Sequence, residues 1–361
     1  MDTGQDSWAR ARRYQSVIAG QGAVVTDADY LQSAGTLLDL YGEDIRARAF
    51  TTHDPVRGEQ MLRPDFTVPI VQQHMAHGAE PARYTYMGKV FRKQEKDENR
   101  PTEFVQVGYE IFDGANPAAA DAEVFATLAG LLSDVEVTAA TGDIGVLRAA
   151  VEGLKTTKRR RAALLRHLWR PRRFKALLDR YGGRSDMPAA RAALLAQDDP
   201  MAQMPPLLGL RTQAEIAERI EVLREDAAAE PISAVELDLI DTLLKVRETA
   251  PNALVALRDL SVDLPSIAPA VDGIARRLDA LAARGIAVDT LPFEASYGRT
   301  SMEYYDGFVF GFSADPRLNL PPLATGGRYD ALTTVLGGGV GVPAVGGVIR
   351  PDLVAAVEAA Q

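Results

Sequence analysis

The stretch Arg83-Tyr-Thr-Tyr-Met-Gly-Lys-Val-Phe-Arg92, followed by the charged Lys93 to Pro101 and then Thr102-Glu-Phe-Val-Gln-Val-Gly-Tyr-Glu-Ile-Phe112, decides the fold. Both arms are rich in aromatic and β-branched residues, and the second alternates strictly, so the reading is two antiparallel strands about a polar loop. A side-chain period of two puts Val105, Val107, Tyr109 and Ile111 on one face and Phe104, Gln106, Gly108, Glu110 and Phe112 on the other. The first face is apolar enough to pack on helices. The second carries an amide and a carboxylate on either side of a glycine, which leaves room for a small ligand with a cationic or hydrogen-bonding group. A half-solvated face on which Gln106 and Glu110 meet water accounts for the same pattern.

Composition frames the rest. The 361 residues, 47% of them hydrophobic, suffice for one large or two ordinary domains. There is no cysteine, which excludes disulfides, zinc-thiolate sites and thiol nucleophiles together. Met1 to Arg13 holds no apolar signal region and no run approaches a membrane span, so a cytoplasmic protein is expected. A net charge of -9 gives no general attraction to nucleic acid.

Outward from the hairpin, the pattern predicts helices over Trp8 to Gly20, Asp29 to Leu40, Val68 to Met75, Ala118 to Leu132 and Val271 to Ala283, and a last one from Pro351. Strands are expected at Ala23 to Val25, Ile45 to Thr51, Val135 to Thr141, Ala287 to Leu291, Tyr304 to Phe310, Leu323 to Asp330 and Val342 to Ile349, with a hairpin turn at His53 to Gly58. Pro64 biases Arg63 towards an extended conformation and sets Asp65 and Thr67 at a strand-to-helix junction, where either side chain is suited to capping. From Leu147 to Ala250 the texture turns to Ala, Leu, Arg and Glu at helical spacing, broken at Pro171, Gly182-Gly183, Pro205-Pro206 and Pro231. We read 147–250 as a helical insert or extension in a discontinuous domain made of 1–146 and 251–361. Within it, Lys155 to Lys175 carries Lys158-Arg-Arg-Arg161, Arg166, Arg170, Arg172 and Arg173 without one acidic residue. A solvated helix face, an RNA site, a phosphorylated ligand or an acidic partner all fit that run. His74 and His77 lie one helical turn apart with no third ligand nearby, so no metal is assigned. Gly337 to Gly341 precedes a proline and a strand, which makes it a turn and not a nucleotide loop.

Six short motifs in order, Leu62-Arg-Pro-Asp-Phe-Thr67, Gly88-Lys-Val-Phe-Arg92, Phe104-Val-Gln-Val-Gly-Tyr-Glu110, Glu303-Tyr-Tyr305, Gly326-Gly-Arg-Tyr-Asp330 and Pro343-Ala-Val-Gly346, resemble histidyl-tRNA synthetase. The resemblance covers both ends of the chain and is weak in the helical middle. It implies an α+β fold, the class II aminoacyl-tRNA synthetase-like antiparallel sheet flanked by helices, and dimerisation through the N-terminal motif region. It implies histidine-binding roles for Asp65, which stands where the family has a glutamate for the amino group, and for Thr67, Gln106, Glu110, Tyr305 and Tyr329. Arg92 matches the arginine that grips the ATP α-phosphate.

The departures bear on activity. The family's second arginine, in an Arg-Gly-Leu-Asp-Tyr-Tyr motif, aligns with Thr300; Arg299 is adjacent, but one step along a strand turns a side chain to the other face. The arginine of the last motif helix aligns with Leu353, and Arg350 precedes that helix. Two cations needed for adenylate formation are thus missing, and no anticodon-binding domain is expected. This combination resembles the synthetase-like regulatory subunits of ATP phosphoribosyltransferase. The implied role is a non-catalytic one: hetero-oligomer formation with a short-form catalytic subunit in the first step of histidine biosynthesis, L-histidine as effector and no cofactor. An amino-acid ligase and an RNA-binding paralogue using the basic block are the alternatives.

Overall fold

The computed structural model describes residues 3–41, 45–94, 100–202, 209–299 and 304–360. The strands among them are β1 (Val24–Val25), β2 (Leu31–Ser33), β3 (Thr51–Asp54), β4 (Gly58–Leu62), β5 (Ala82–Phe91), β6 (Glu103–Phe112), β7 (Thr138–Asp143), β8 (Arg247–Thr249), β9 (Pro292–Glu294), β10 (Phe308–Ser313), β11 (Ala324–Arg328) and β12 (Ala344–Ile349). Nine form one sheet in the order β1-β5-β6-β12-β11-β10-β7-β9-β8, and β2-β4-β3 form a small second one. The long central run from β5 to β7 is antiparallel throughout, while the short edge pairs β1 with β5 and β7 with β9 are parallel. The fold is therefore α+β with a mostly antiparallel sheet and helices packed on it, as expected.

The hairpin pairs Tyr86 with Gly108 and Gly88 with Gln106. Both faces of β6 are covered, since every residue from Phe104 to Phe112 is buried. Tyr109, on the apolar face, reaches Glu123 of the helix Pro117–Leu131, which Arg83 also engages at 2.8 Å. Burial on the opposite face removes the half-solvated reading of Gln106 and Glu110.

Beneath the sheet lies an ionic cluster that joins distant parts of the chain. Arg277, on the helix Ala268–Ala283, donates to Asp121 at 2.8 Å and to Asp143 at 2.9 Å. Arg328 of β11 donates to Asp121 at 2.6 Å. All four are buried. Desolvation opposes the charged form of Arg277, and the two carboxylates outweigh it and raise its pKa.

Several expected elements shift. Residues 31–33 form β2, held to β4 by the Leu31–Leu62 pairing, and the helix begins only at Ala34. Ile45–Arg48 is a short helix, and the strand starts at Thr51, where two threonines pair with β4. Val288–Thr290 is a 3₁₀ turn and Pro292–Glu294 the strand. Tyr304 to Gly307 lie before β10, which begins at Phe308, and a helix, Asp330–Leu336, intervenes between β11 and the glycine run. Short runs are ambiguous by periodicity, and pairing decides the strands among these, at 31–33, 51–54 and 292–294. The helical middle contains Lys158–Arg166, Pro171–Tyr181, Ala189–Leu195, Gln213–Ala228 and Ala234–Leu243, and it closes on β8, whose Thr249 pairs with Pro292. The break expected at Pro205-Pro206 lies outside the described residues.

Candidate functional site

The loop between β4 and the helix Thr67–His77 is fixed by Arg63. Its guanidinium is buried, donates to the Lys89 carbonyl at 2.9 Å, and lies 4.2 Å over Tyr30 and 3.9 Å over Phe66. Phe66 in turn stacks on Tyr86 at 4.4 Å. This column holds Asp65 and Thr67 against the sheet. Neither caps the helix well: Asp65 approaches the Val68 N–H at 3.5 Å, and the Thr67 hydroxyl donates instead to Glu110 Oε1 at 3.0 Å.

Glu110 is the centre of the cluster. Besides Thr67, the Tyr86 hydroxyl donates to Oε1 at 2.8 Å and the Tyr329 hydroxyl to Oε2 at 2.5 Å. Burial pushes the Glu110 pKa up to about 7, against the three hydroxyl donors. Burial, with the Glu110 charge, also drives the phenols of Tyr86 and Tyr329 well above their ordinary value, so both stay donors. Two glycines make room for the cluster. A Cβ on Gly346, the β12 residue facing Glu110, would stand 1.4 Å from Oε2, and one on Gly108 would stand 2.0 Å from the Tyr86 ring. The space that Gly108 opens is thus filled by the Tyr86 ring and not left for a ligand, which corrects the reading of that glycine.

Gln106, on the same face of β6, is wholly buried, and among the described residues neither its Nε2 nor its Oε1 has a hydrogen-bond partner. An amide left so costs about 1–3 kcal/mol per unsatisfied group. Tyr305 is buried with its ring over Gly327 of β11, where a Cβ would meet it at 2.8 Å. Its pKa is raised by burial and then by Glu110 and Asp65, whose charges therefore act across the same small volume. Tyr304 stands edge-on to both Tyr305 and Tyr329 and reaches the Thr67 hydroxyl at 3.5 Å. The structure thus joins Thr67 and Tyr329 through Glu110 and sets Asp65 and Tyr305 within reach of its charge, with Gln106 four residues away on the same face of β6.

Sequence reasoning missed Tyr86 as a site residue. Tyr86 and Gly108 are equidistant from position 97, the middle of the charged loop, and folding the hairpin symmetrically puts them opposite each other, as observed. It also missed the link to the helical middle: Trp169 Nε1 donates to the Tyr305 carbonyl at 3.2 Å. Arg299 is on a turn and not a strand; its Nε donates to the Leu168 carbonyl at 2.8 Å and its guanidinium lies 4.9 Å over Phe174. It serves the helical block and not the carboxylate cluster. Thr300 and Glu303 lie outside the described residues. His74 is stacked on Phe112 at 3.8 Å with Nδ1 3.1 Å from the Tyr84 hydroxyl, and His77 is exposed.

Next to this cluster a cavity of about 760 Å³ is lined by Arg48, Arg92, Lys93, Arg100, Arg350 and Phe104, with Asp352 and Leu353 at one wall. Arg92 donates to the Pro64 carbonyl at 2.7 Å and lies 5.7 Å over Phe104. Arg350 precedes the helix Pro351–Glu358 yet turns back over Phe104 at 4.8 Å, so the cavity keeps a cation there although Leu353 replaces the expected one. Burial brings the Arg350 pKa down to about 10, and Arg92 adds to the effect.

Comparison with known proteins places this geometry. The family model described as histidyl-tRNA synthetase matches residues 25–204. The ATP phosphoribosyltransferase regulatory subunits of Brucella anthropi and Brucella canis are each 32% identical, over 90% of this chain and 90% of theirs. A solved structure described as an ATP phosphoribosyltransferase regulatory subunit/histidyl-tRNA synthetase from Bacillus halodurans superposes with a TM-score of 0.67 at 22% identity, covering 99% of this chain and 79% of that one. The histidyl-tRNA synthetase of Nostoc gives 0.63 at 16% identity, covering 98% and 71%. The synthetase-like fold, the ordered motifs and the identity along nine-tenths of both chains together show that this chain belongs to the ATP phosphoribosyltransferase regulatory subunit family.

Proposed function

We propose that the chain is the non-catalytic regulatory subunit of an ATP phosphoribosyltransferase, acting with a short catalytic subunit in the first step of L-histidine biosynthesis. We propose further that L-histidine, bound beside Glu110, carries feedback inhibition. The observation that supports this best is the orphaned amide of Gln106, buried on the strand face that also carries Glu110. An amino acid with an imidazole would supply both a donor and an acceptor there. Asp65 would meet the ammonium group, Thr67 and Glu110 would orient the ring, and Tyr305 and Tyr329 would wall it. The tyrosines and Glu110 hold one another, so the site binds without a reacting group aimed at the ligand.

In this reading adenylation is lost. Thr300 stands in place of a cation at the reacting end, while the arginine-lined cavity beside Phe104 is a remnant of the nucleotide site. Histidine then acts by preferring one of two states of the assembly, and the bond from Trp169 to Tyr305 offers a route from the site to the helical middle. We take 147–250 as an insert in the synthetase-like domain. Self-association through the N-terminal region has support in Val24, Val25, Tyr30 and Leu31, all of them exposed apolar side chains. No helix among the described residues is long and apolar enough to cross a membrane, and the proposed role is a cytoplasmic one.

Reconstitution tests the proposal. Added to a short-form catalytic subunit, the chain should raise the rate of phosphoribosyl transfer, and L-histidine should lower the rate of the mixture. A catalytic subunit indifferent to the chain would contradict the regulatory role. Exchange of pyrophosphate into ATP on adding histidine to the chain alone would establish a ligase instead.

A further inference from the structure

The basic run that sequence analysis singled out borders a cavity, and the regulatory reading uses none of its arginines. The helices Lys158–Arg166, Pro171–Tyr181 and Gln213–Ala228 enclose about 660 Å³, within the range of small-molecule sites. Arg166, Arg173, Arg180, Arg191 and Arg219 line it. Among the described residues none of these five has a carboxylate within ion-pair distance, whereas their neighbours Arg160 and Arg159 are paired with Asp226 at 2.7 Å and Glu225 at 3.9 Å. Among the described residues two buried polar atoms here lack hydrogen-bond partners as well, Nε of Arg180 and Nδ1 of His167. A solvated helix face would leave neither atom enclosed and unsatisfied.

We infer that this cavity is an anion site for a compact phosphate ester, separate from the carboxylate cluster on the sheet. Five unpaired guanidiniums around one concavity repel one another, and a bound phosphate relieves that repulsion while accepting paired N–H groups from the arginine forks. The neutral His167 ring suits a donor or acceptor at the edge of the ligand; burial and then Arg173, Arg170 and Arg166 hold its pKa below the usual histidine value. The walls favour a small ligand over a nucleic-acid strand. Glu215, Glu218, Glu225 and Asp226 of the facing helix also line the cavity, so a polyanion laid across it would meet carboxylates, whereas a compact phosphate fits on the arginine side. The net charge of -9 disfavours a polyanion further.

The probe is inorganic pyrophosphate, titrated calorimetrically into the full chain. Arg173 and Arg219 are exposed, so Arg173→Gln and Arg219→Gln should leave the fold unchanged. Arg92→Gln disables the other cationic cavity. The inference predicts saturable binding that each of the first two substitutions weakens about tenfold or more and that Arg92→Gln leaves as it is. Binding lost only in Arg92→Gln would move the anion to the sheet cavity and overturn the assignment. No saturable binding to the wild type would overturn it too, as would a short RNA binding with steep salt dependence where pyrophosphate fails. Histidine binding, which depends on Gln106, is read separately, so failure here leaves the regulatory proposal standing.

Discussion

The Tyr329 hydroxyl donates to Glu110 Oε2 at 2.5 Å, tying the residue that caps the helix after β11 to the C-terminal part of β6 across the intervening strand β12. Both side chains are essentially inaccessible to water. Removing the hydroxyl leaves a buried carboxylate short of one donor. Tyr329→Phe is expected to lower stability by about 1–3 kcal/mol, measured by urea denaturation at neutral pH. An unchanged midpoint would mean that Glu110 is satisfied without it.

Gly346 is required by the same carboxylate. A methyl group there would fall 1.4 Å from Oε2, and the Glu110 side chain has tyrosines on its other sides. Gly346→Ala should therefore cost about 1–3 kcal/mol by overpacking and also abolish histidine binding, whereas the same change at exposed, uncrowded Gly20 should do neither. Thermal melts with and without histidine would separate the two effects.

The position of Glu110 also predicts a pH dependence. Burial raises its pKa from 4.5 to about 7 in the folded chain, so between these values the folded state binds more protons than the unfolded one. Stability from this group is therefore highest below the unfolded value and falls as pH rises, with the full penalty, about 3 kcal/mol, reached above pH 7. Denaturation of wild type and Glu110→Gln at pH 5 and pH 8 should show the wild type losing ground to the variant at the higher pH. Parallel behaviour would show that the carboxylate titrates normally.

The Asp121, Asp143, Arg277 and Arg328 cluster holds the helix Ala268–Ala283 to the sheet. Arg277→Ala leaves buried Asp143 without its arginine, while Asp121 keeps Arg328, and is expected to cost about 3–5 kcal/mol. A loss within 1 kcal/mol in a denaturant titration would place the residue at the surface in solution.

The hairpin was legible because its two arms alternate with sheet-forming residues about a wholly polar loop, and the faces assigned to Val107 and Glu110 are those observed. The α+β class came with the resemblance carried by the six ordered motifs. The short elements were not legible: Leu31–Ser33 and Ile45–Arg48 are too brief for periodicity, the first being a strand through its pairing with β4 and the second a single helical turn ahead of the paired Thr51–Asp54. At the candidate site, the ordered motifs named Glu110, Thr67 and Tyr329, which touch. They did not name Tyr86, whose contribution depends on strand register, or Trp169 and Arg277, which arrive from parts of the chain far away in sequence. Arg350 was discounted because it precedes its helix, yet a long side chain at a helix start can turn back over the sheet, and here it covers Phe104.

The most direct test of the account is calorimetric titration of L-histidine into the chain, alone and with the short catalytic subunit, for wild type and Gln106→Ala. The orphaned amide predicts saturable binding by the wild type, weakened about tenfold or more in the variant, while the variant keeps its fold because the Gln106 side-chain amide has no hydrogen-bond partner among the described residues. Equal affinity in the two proteins, or no binding in either setting, would contradict the assignment of this pocket to histidine.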